Sequence, residues 1–178
     1  DRFRKVPVNV KEVAPELENE IGKPYVDVKD PYGCCSSYAE HFEKEFEASL
    51  SRFGVKVDFR RQSENYRSGK YAKYVIQAVQ KRRDILDKFR QQVATPEERE
   101  AYYPVSIYCP VCGKDETTIT SSSEDGVTCE YTCKCGHKGT WDFSRDFNCK
   151  LAWKIDWPMR WMIEGVDFEP GGKDHASP

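Results

Sequence analysis

The chain has 178 residues, of which 33% are charged and 38% hydrophobic, and its formal net charge at pH 7 is −2. This length suffices for one sizeable core, and no stretch is apolar for long enough to cross a membrane. A net charge close to zero gives no whole-chain argument for nucleic-acid binding. Eight cysteines without an evident secretory leader favour a reducing compartment, so we expect a cytoplasmic protein. The irregular composition at both ends leads us to expect a piece of something longer.

The first sixty residues predict a strand, a helix and a second strand. Residues 23–28 alternate apolar and polar side chains, as a short strand does. The helix follows, with its end predicted at Gly54. Its apolar face comprises Tyr38, Phe42, Phe46, Leu50 and Phe53. Residues 55–59 then alternate as a second strand.

Residues 70–93 predict one long helix with a basic outer face. The apolar positions at helical spacing are Tyr71, Tyr74, Val75, Ala78, Ile85, Leu86, Phe89 and Val93. The outer face holds Lys70, Lys73, Lys81, Arg82, Arg83, Lys88 and Arg90. This face is either a solvated surface or a contact for a phosphate backbone, and the sequence leaves both interpretations open. Thr95 and Pro96 predict the cap and first residue of a further short helix.

Two close cysteine pairs predict a structural zinc site. Cys109 and Cys112 lie in Cys-Pro-Val-Cys-Gly, and Cys133 and Cys135 lie in Cys-Lys-Cys-Gly-His. Two such turns bring four thiolates to one ion and leave no coordination position open. The interval between the turns reads as a β-hairpin, which makes the element a zinc ribbon.

Alternatives to this ligand set exist. A pair of disulfides is one, although a reducing compartment disfavours it. Cys129 and His137 are rival ligands, but Cys129 falls in the middle of a predicted strand and His137 follows a complete turn.

The α/β pattern resumes after the ribbon. Residues 151–155 predict a strand, Asp156 caps a short helix over residues 157–164 with Pro158 near its start, and residues 166–169 predict a last strand. The order of elements predicts an α/β fold: a Rossmann-like parallel sheet with helices on both faces and an inserted zinc ribbon. The expected divisions are residues 1–103, 104–143 and 144–178.

A polar loop follows the last predicted strand. In an open parallel sheet, ligands bind beyond the carboxyl ends of the strands, where we expect Gly171, Gly172, Asp174 and His175. Paired glycines permit close approach of a ligand, and Asp174 can accept hydrogen bonds from ribose hydroxyls. A tight polar turn without a ligand is the alternative. Trp153, near a predicted strand end, is a candidate pocket wall for an aliphatic or cationic ligand, although most tryptophans pack in cores.

Several segments resemble the class I lysyl-tRNA synthetases. They are Asp1-Arg-Phe-Arg-Lys-Val-Pro7, Pro31-Tyr-Gly33, Ser36-Ser-Tyr-Ala-Glu-His-Phe42, Gln62-Ser-Glu-Asn-Tyr66, Trp153-Lys-Ile-Asp-Trp-Pro-Met-Arg-Trp161 and Glu164-Gly-Val-Asp-Phe-Glu-Pro-Gly-Gly-Lys-Asp-His-Ala-Ser-Pro178. The four-cysteine insertion matches as well.

The resemblance implies part of a Rossmann-type catalytic domain that activates lysine with Mg²⁺-bound ATP and transfers it to the lysine tRNA. It implies that Trp153 and His175 line the lysine pocket and that Gly171, Gly172 and Asp174 lie against the adenylate. The family's His-Ile-Gly-His-like and Lys-Met-Ser-Lys-Ser-like motifs do not occur in these 178 residues, so no catalytic residue is predicted here.

Two other functions compete with this interpretation. A zinc ribbon beside a basic helix could be a nucleic-acid-binding or assembly module without catalysis. The second competing function is that of a glutamyl-type class I synthetase. The C-terminal segment from Glu164 to Pro178, which resembles the lysyl enzymes, disfavours it.

Overall fold

The computed structural model describes residues 1–89 and 95–172. Their helices are α1 (Val8–Lys11), α2 (Tyr38–Arg52), α3 (Gln62–Arg67), α4 (Ala72–Gln80), α5 (Arg82–Phe89), α6 (Pro96–Ala101) and α7 (Trp153–Glu164), with 3₁₀ turns at Pro15–Glu20 and Tyr25–Asp27. Their strands are β1 (Val105–Ile107), β2 (Thr117–Ser122), β3 (Thr128–Cys133), β4 (Lys138–Asp142) and β5 (Cys149–Leu151). Among these helices, none combines the length and the apolar character that a membrane crossing requires.

The described strands form two small antiparallel sheets. Strand β1 pairs with β5, with Val105 opposite Leu151, and β3 lies between β2 and β4. The predicted hairpin is therefore confirmed as β2 and β3, and β4 extends it. The chain is α/β, but the predicted parallel sheet is not present in residues 1–89 and 95–172.

Three predicted strands are wrong. Residues 25–27 form a 3₁₀ turn, in which Tyr25 packs its ring edge-on against buried Phe3 at 5.5 Å. Residues 55–59 and 166–169 are neither helix nor strand, and Val57 and Phe168 are 50% and 80% exposed. A strand requires a neighbour for its N–H and C=O groups, and residues 55–59 and 166–169 have none among the described residues. Residues 23–25 do pair with residues 1–3, but the 3₁₀ turn at Tyr25–Asp27 ends this pairing after one bridge.

Two buried clusters form the core. The larger lies between α4, the ribbon sheet, β1 and β5, where Tyr71, Ile107 and Phe143 are almost completely buried. The smaller packs Phe3, Leu17 and Tyr38 between the first thirty residues and the start of α2. The N-terminal segment and the start of α2 therefore share a core of their own, which positions residues 28–42.

Helix α2 has the predicted ends but buries only part of the predicted face. The Ser37 hydroxyl accepts the Glu40 N–H at 3.2 Å, and Gly54 follows the helix with a φ of +71°. Tyr38 is buried, whereas Phe46 and Phe53 are 58% and 84% exposed. The predicted apolar face is thus buried only at its N-terminal end.

The predicted long helix is two helices, α4 and α5, separated at Lys81. Arg82 is 7% exposed, so its placement on a solvated basic face was wrong. Its guanidinium donates to the Arg99 and Tyr102 carbonyls and to Glu100, and it lies 4.5 Å from the centre of the Tyr103 ring. Arg82 thereby joins α5 to the end of α6, whose Thr95 and Glu98 form the predicted N-terminal cap as a capping box.

The neighbouring arginines provide a matched test of this contact. Arg82→Ala leaves two carbonyls without their donor and removes a cation–π contact, so we expect a loss of about 2–3 kcal/mol of unfolding free energy. Arg83→Ala removes only an ion pair between exposed side chains, and we expect a change below about 0.5 kcal/mol. Urea denaturation of both variants measures the difference. Equal losses would contradict the assignment.

Candidate functional site

Two tight turns position the four predicted cysteine ligands. In the first, the Gly113 N–H donates to the Cys109 carbonyl at 2.8 Å, and Gly113 has a φ of +73°. In the second, the Gly136 N–H donates to the Cys133 carbonyl at 2.9 Å, and Gly136 has a φ of +93°. Glycine adopts these left-handed conformations without a steric penalty, so each turn closes behind its cysteines.

The four sulfur atoms have the spacing of a tetrahedral metal site. Cys109 Sγ lies 3.8 Å from Cys135 Sγ, Cys112 Sγ lies 3.7 Å from Cys133 Sγ, and all four lie within 4.8 Å of one another. Four sulfurs held about 2.3 Å from a central ion would be separated by about 3.8 Å. Cys109, Cys112, Cys133 and Cys135 can therefore hold a metal ion.

The alternatives to this ligand set do not form. All eight cysteines are free thiols, so no disulfide competes. Cys129 lies outside the four-cysteine group, and burial, followed by the charge of Glu130, raises its pKa to about 12. His137 also lies outside this group, and its ring lies 5.9 Å from that of Tyr131.

A second group of metal-binding side chains was not predicted. Asp30, Cys34, Cys35 and His41 each direct one ligand atom to within 4.8 Å of the others. Cys34 Sγ lies 3.2 Å from His41 Nδ1 and 3.9 Å from Cys35 Sγ, and His41 Nδ1 lies 3.3 Å from Asp30 Oδ1. With metal bonds of about 2.0 Å to nitrogen and oxygen and 2.3 Å to sulfur, tetrahedral ligands would show similar separations of about 3.3–3.8 Å.

The loop that forms this second group is organised by Asp30. Its carboxylate accepts the backbone N–H groups of Tyr32 at 3.1 Å and of Cys34 and Cys35 at 2.7 Å each. Burial by itself would raise the pKa of Asp30, but these donors outweigh it and hold the pKa at about 2. The carboxylate is therefore ionised at neutral pH, as a metal ligand must be.

The sequence carried a signal for this group that we did not use. Cys34 and Cys35 are adjacent, Asp30 precedes them, and His41 lies in the first turns of the predicted helix α2. A cysteine pair with a histidine and a carboxylate nearby is a metal-ligand composition.

A cavity of about 780 Å³ lies between the N-terminal segment, α3, β5 and α7, and we call it the Trp153 cavity. Helix α7 contributes Trp153, Asp156, Trp157 and Arg160, which occupy one face at helical spacing. Trp153 is 46% exposed, and its ring stands edge-on to that of Trp157 at 5.6 Å. The predicted pocket wall is therefore a cavity wall, although on a helix and not on a strand.

Helix α7 begins earlier than predicted. It starts at Trp153, so the predicted strand ends at Leu151, and Asp156 lies inside the first turn instead of capping it. Pro158 lies within the helix, and Gly165 ends it with a φ of +64°.

A buried hydrogen-bond network anchors α7. The Tyr66 hydroxyl donates to Asp156 Oδ1 at 2.5 Å and accepts the Leu151 N–H at 3.1 Å. Asp156, which is 4% exposed, pairs through Oδ2 with Arg160 Nη2 at 2.6 Å. Burial and the Asp156 charge raise the pKa of Tyr66 well above its usual value, so its hydroxyl remains a donor. The Tyr66 hydroxyl of α3 thus links β5 to the Asp156 carboxylate of α7.

The predicted glycine-rich loop does not follow a strand. Gly171 and Gly172 are exposed in a segment that is neither helix nor strand. Asp174 and His175 lie outside the described residues. The proposed position at the carboxyl end of a last strand was therefore wrong, because residues 166–169 do not form that strand.

The family model described as tRNA synthetases class I (K) matches residues 1–178. The chain therefore belongs to the class I (K) tRNA synthetase family. It is 45% identical over 180 residues to the lysine–tRNA ligase of Pyrococcus furiosus, an alignment that covers 99% of this chain and 33% of the relative. It is 46% identical to the lysine–tRNA ligase of Thermococcus kodakarensis, with 99% of this chain and 33% of the relative aligned. It is 36% identical to the lysine–tRNA ligase of Streptomyces coelicolor, with 100% of this chain and 36% of the relative aligned. The chain thus spans about a third of the length of these relatives.

The two ligand groups predict a defined metal content. We expect two divalent metal ions per chain, because each group supplies four ligand atoms at metal-binding separations. Cys112→Ala and Cys34→Ala should each reduce the content by about one ion, since each removes one of the four ligands of its site. Cys129→Ala, which removes a buried cysteine outside both groups, should retain both ions. Elemental analysis after gel filtration measures the content, and a loss in Cys129→Ala equal to that in Cys112→Ala would contradict the ligand set.

Proposed function

We propose that this chain is part of the catalytic domain of a lysine–tRNA ligase, which activates lysine with ATP and transfers the lysyl group to the lysine tRNA. The observation that carries the proposal is the family match over all 178 residues, together with relatives that are named lysine–tRNA ligase. Their alignments cover 99% of this chain, so the similarity is not confined to one motif.

The Trp153 cavity supports a lysine site. Lysine carries an ammonium group on an apolar stem, and a half-exposed indole can contact the methylenes and attract the cation. We assign Trp153 and His175 to lysine binding. Gly171, Gly172 and Asp174 are assigned to the adenylate, with ATP bound as its Mg²⁺ complex. The assignments of His175 and Asp174 rest on the resemblance of the Gly-Gly-Lys-Asp-His run alone.

We further propose that zinc occupies both metal sites. Thiolate, imidazole and carboxylate are ligands that zinc accepts in tetrahedral geometry. Four protein ligands leave no position for a substrate, so the metal would supply stability and not chemistry. The cysteines 109, 112, 133 and 135 would hold the ribbon, and the second group would hold the loop before α2.

The ribbon is better suited to a structural role than to binding nucleic acid. Tyr131 and Trp141, two aromatic side chains of its sheet, are 3% and 6% exposed. Base stacking requires an accessible ring, so these residues support packing instead. We therefore favour an inserted ribbon at residues 104–143, between catalytic-domain parts at 1–103 and 144–178. The parallel Rossmann sheet is proposed for the whole enzyme, and the cytoplasmic location also remains a prediction.

Lysine-dependent exchange of pyrophosphate into ATP tests the function. The full-length protein that contains this chain should catalyse the exchange with lysine and not with glutamate. It should then charge lysine tRNA. Tight binding of nucleic acid without any exchange would favour the binding-module alternative.

Kinetics of a tryptophan variant test the lysine site. In the full-length enzyme, Trp153→Ala should raise the KM for lysine by about 3- to 30-fold and change that for ATP much less, because it removes a contact worth about 0.5–2 kcal/mol. Trp161→Ala changes a tryptophan on the same helix that does not line this cavity, and it should leave the KM for lysine unchanged. Wild-type lysine kinetics in a folded Trp153→Ala enzyme would show that this residue only packs.

A further inference from the structure

The guanidinium of Arg160 is held in place at the Trp153 cavity. Its Nη2 donates to the buried Asp156 carboxylate at 2.6 Å, and Asp156 is itself held by the Tyr66 hydroxyl at 2.5 Å. The Arg160 side chain retains 26% exposure and lines both this cavity and a neighbouring one of about 480 Å³ beside Trp161. One edge of the guanidinium is thus anchored and its Nε is buried, so the Nη1 group is the donor that can serve a ligand.

Three other cations that line this cavity form ion pairs. Arg2 pairs with Asp115 at 3.1 Å, Lys150 pairs with Asp1 at 2.5 Å, and Arg67 pairs with Asp27 at 2.6 Å. These ion pairs neutralise their charges locally. Arg160 is also paired, but its partner Asp156 lies on the same helix and is held in addition by the Tyr66 hydroxyl, and Arg160 shares the cavity-lining face of α7 with Trp153.

The spacing along α7 matches a dipolar amino acid. Trp153 and Arg160 are seven residues apart, which places their backbones about 10 Å apart along the helix axis. The side-chain ε-ammonium and the carboxylate of an extended lysine are roughly 7 Å apart, as the bond lengths of a saturated chain require. Long side chains at both positions can therefore contact the two ends of one lysine molecule.

We propose that Arg160 binds the carboxylate of lysine and thereby sets the direction in which the substrate lies along α7. The guanidinium attracts the carboxylate through charge-assisted hydrogen bonds. It repels the ε-ammonium at the other end of lysine, which therefore contacts Trp153. A guanidinium held by one partner binds a second oxyanion without reorganising. This inference rests on the proposed lysine-activating function and adds the residue that orients the substrate.

The test must avoid a buried carboxylate without a partner, since that alone could unfold the protein. The double variant Asp156→Asn with Arg160→Gln removes both charges together, and Arg160→Lys retains a positive charge beside Asp156. Arg145→Gln is the matched control, because Arg145 is 82% exposed and pairs with Asp142 in the ribbon. All variants are made in the full-length enzyme and assayed by pyrophosphate exchange.

Lysinol, which has a hydroxymethyl group in place of the carboxylate, separates orientation from general damage. In the double variant we expect the KM for lysine to rise by about 10- to 100-fold, and in Arg160→Lys by a smaller factor of about 3- to 10-fold. The inhibition constant of lysinol and the KM for ATP should stay within about twofold of wild type. Arg145→Gln should match wild type throughout.

Three results would overturn the inference. They are an unchanged KM for lysine in both Arg160 variants, a lysinol inhibition constant that rises in parallel with that KM, and an increase confined to the KM for ATP, which would assign Arg160 to a phosphate. If the double variant does not fold, Arg160→Lys alone decides among these results. Failure of the proposed function looks different, because the wild-type enzyme itself would then show no lysine-dependent exchange.

Discussion

The convergence of four cysteine sulfurs on one point is the constraint on which the ribbon and the cavity beside it depend. Cys109 lies two residues after the end of β1, so fixing its sulfur restrains the end of that strand. Strand β1 pairs with β5, and α7 begins two residues after β5 ends. A metal ion at the cysteines would therefore influence the cavity wall through one short strand pair, without contacting a substrate.

The second ligand group lies beside the smaller core, whereas the four-cysteine group lies in the ribbon beside the larger core. Asp30 gathers three backbone N–H groups, and His41 lies on α2 beside Tyr38 and Phe42, which pack on the smaller core. This core contains few residues, and small cores commonly require a metal or another cross-link for stability. Two candidate metal sites in one chain are thus consistent with two separate hydrophobic clusters.

The structure also changes how the charged residues are understood. The spacing that placed Arg82 with exposed lysines is correct as helical geometry, yet α6 packs over that position and supplies carbonyls and Glu100. Similarly, Asp156 has the sequence position of a helix cap but acts as a buried acceptor for Tyr66 and Arg160. Each charge joins two elements of the chain, because Arg82 binds α5 to α6 and Asp156 binds α7 to α3.

Local features were determined by the sequence itself. The cysteine turns, the Thr95 cap and the end of α2 at Gly54 depend on neighbouring residues, and all three predictions are confirmed. Tertiary structure alone decided which alternating segments became strands, because a strand exists only with a partner, and residues 55–59 and 166–169 have none among the described residues. It also brought His41 to Asp30 and Tyr66 to Asp156, the latter across 90 residues of chain. Periodicity reports which face of a segment is apolar, but only packing determines what that face contacts.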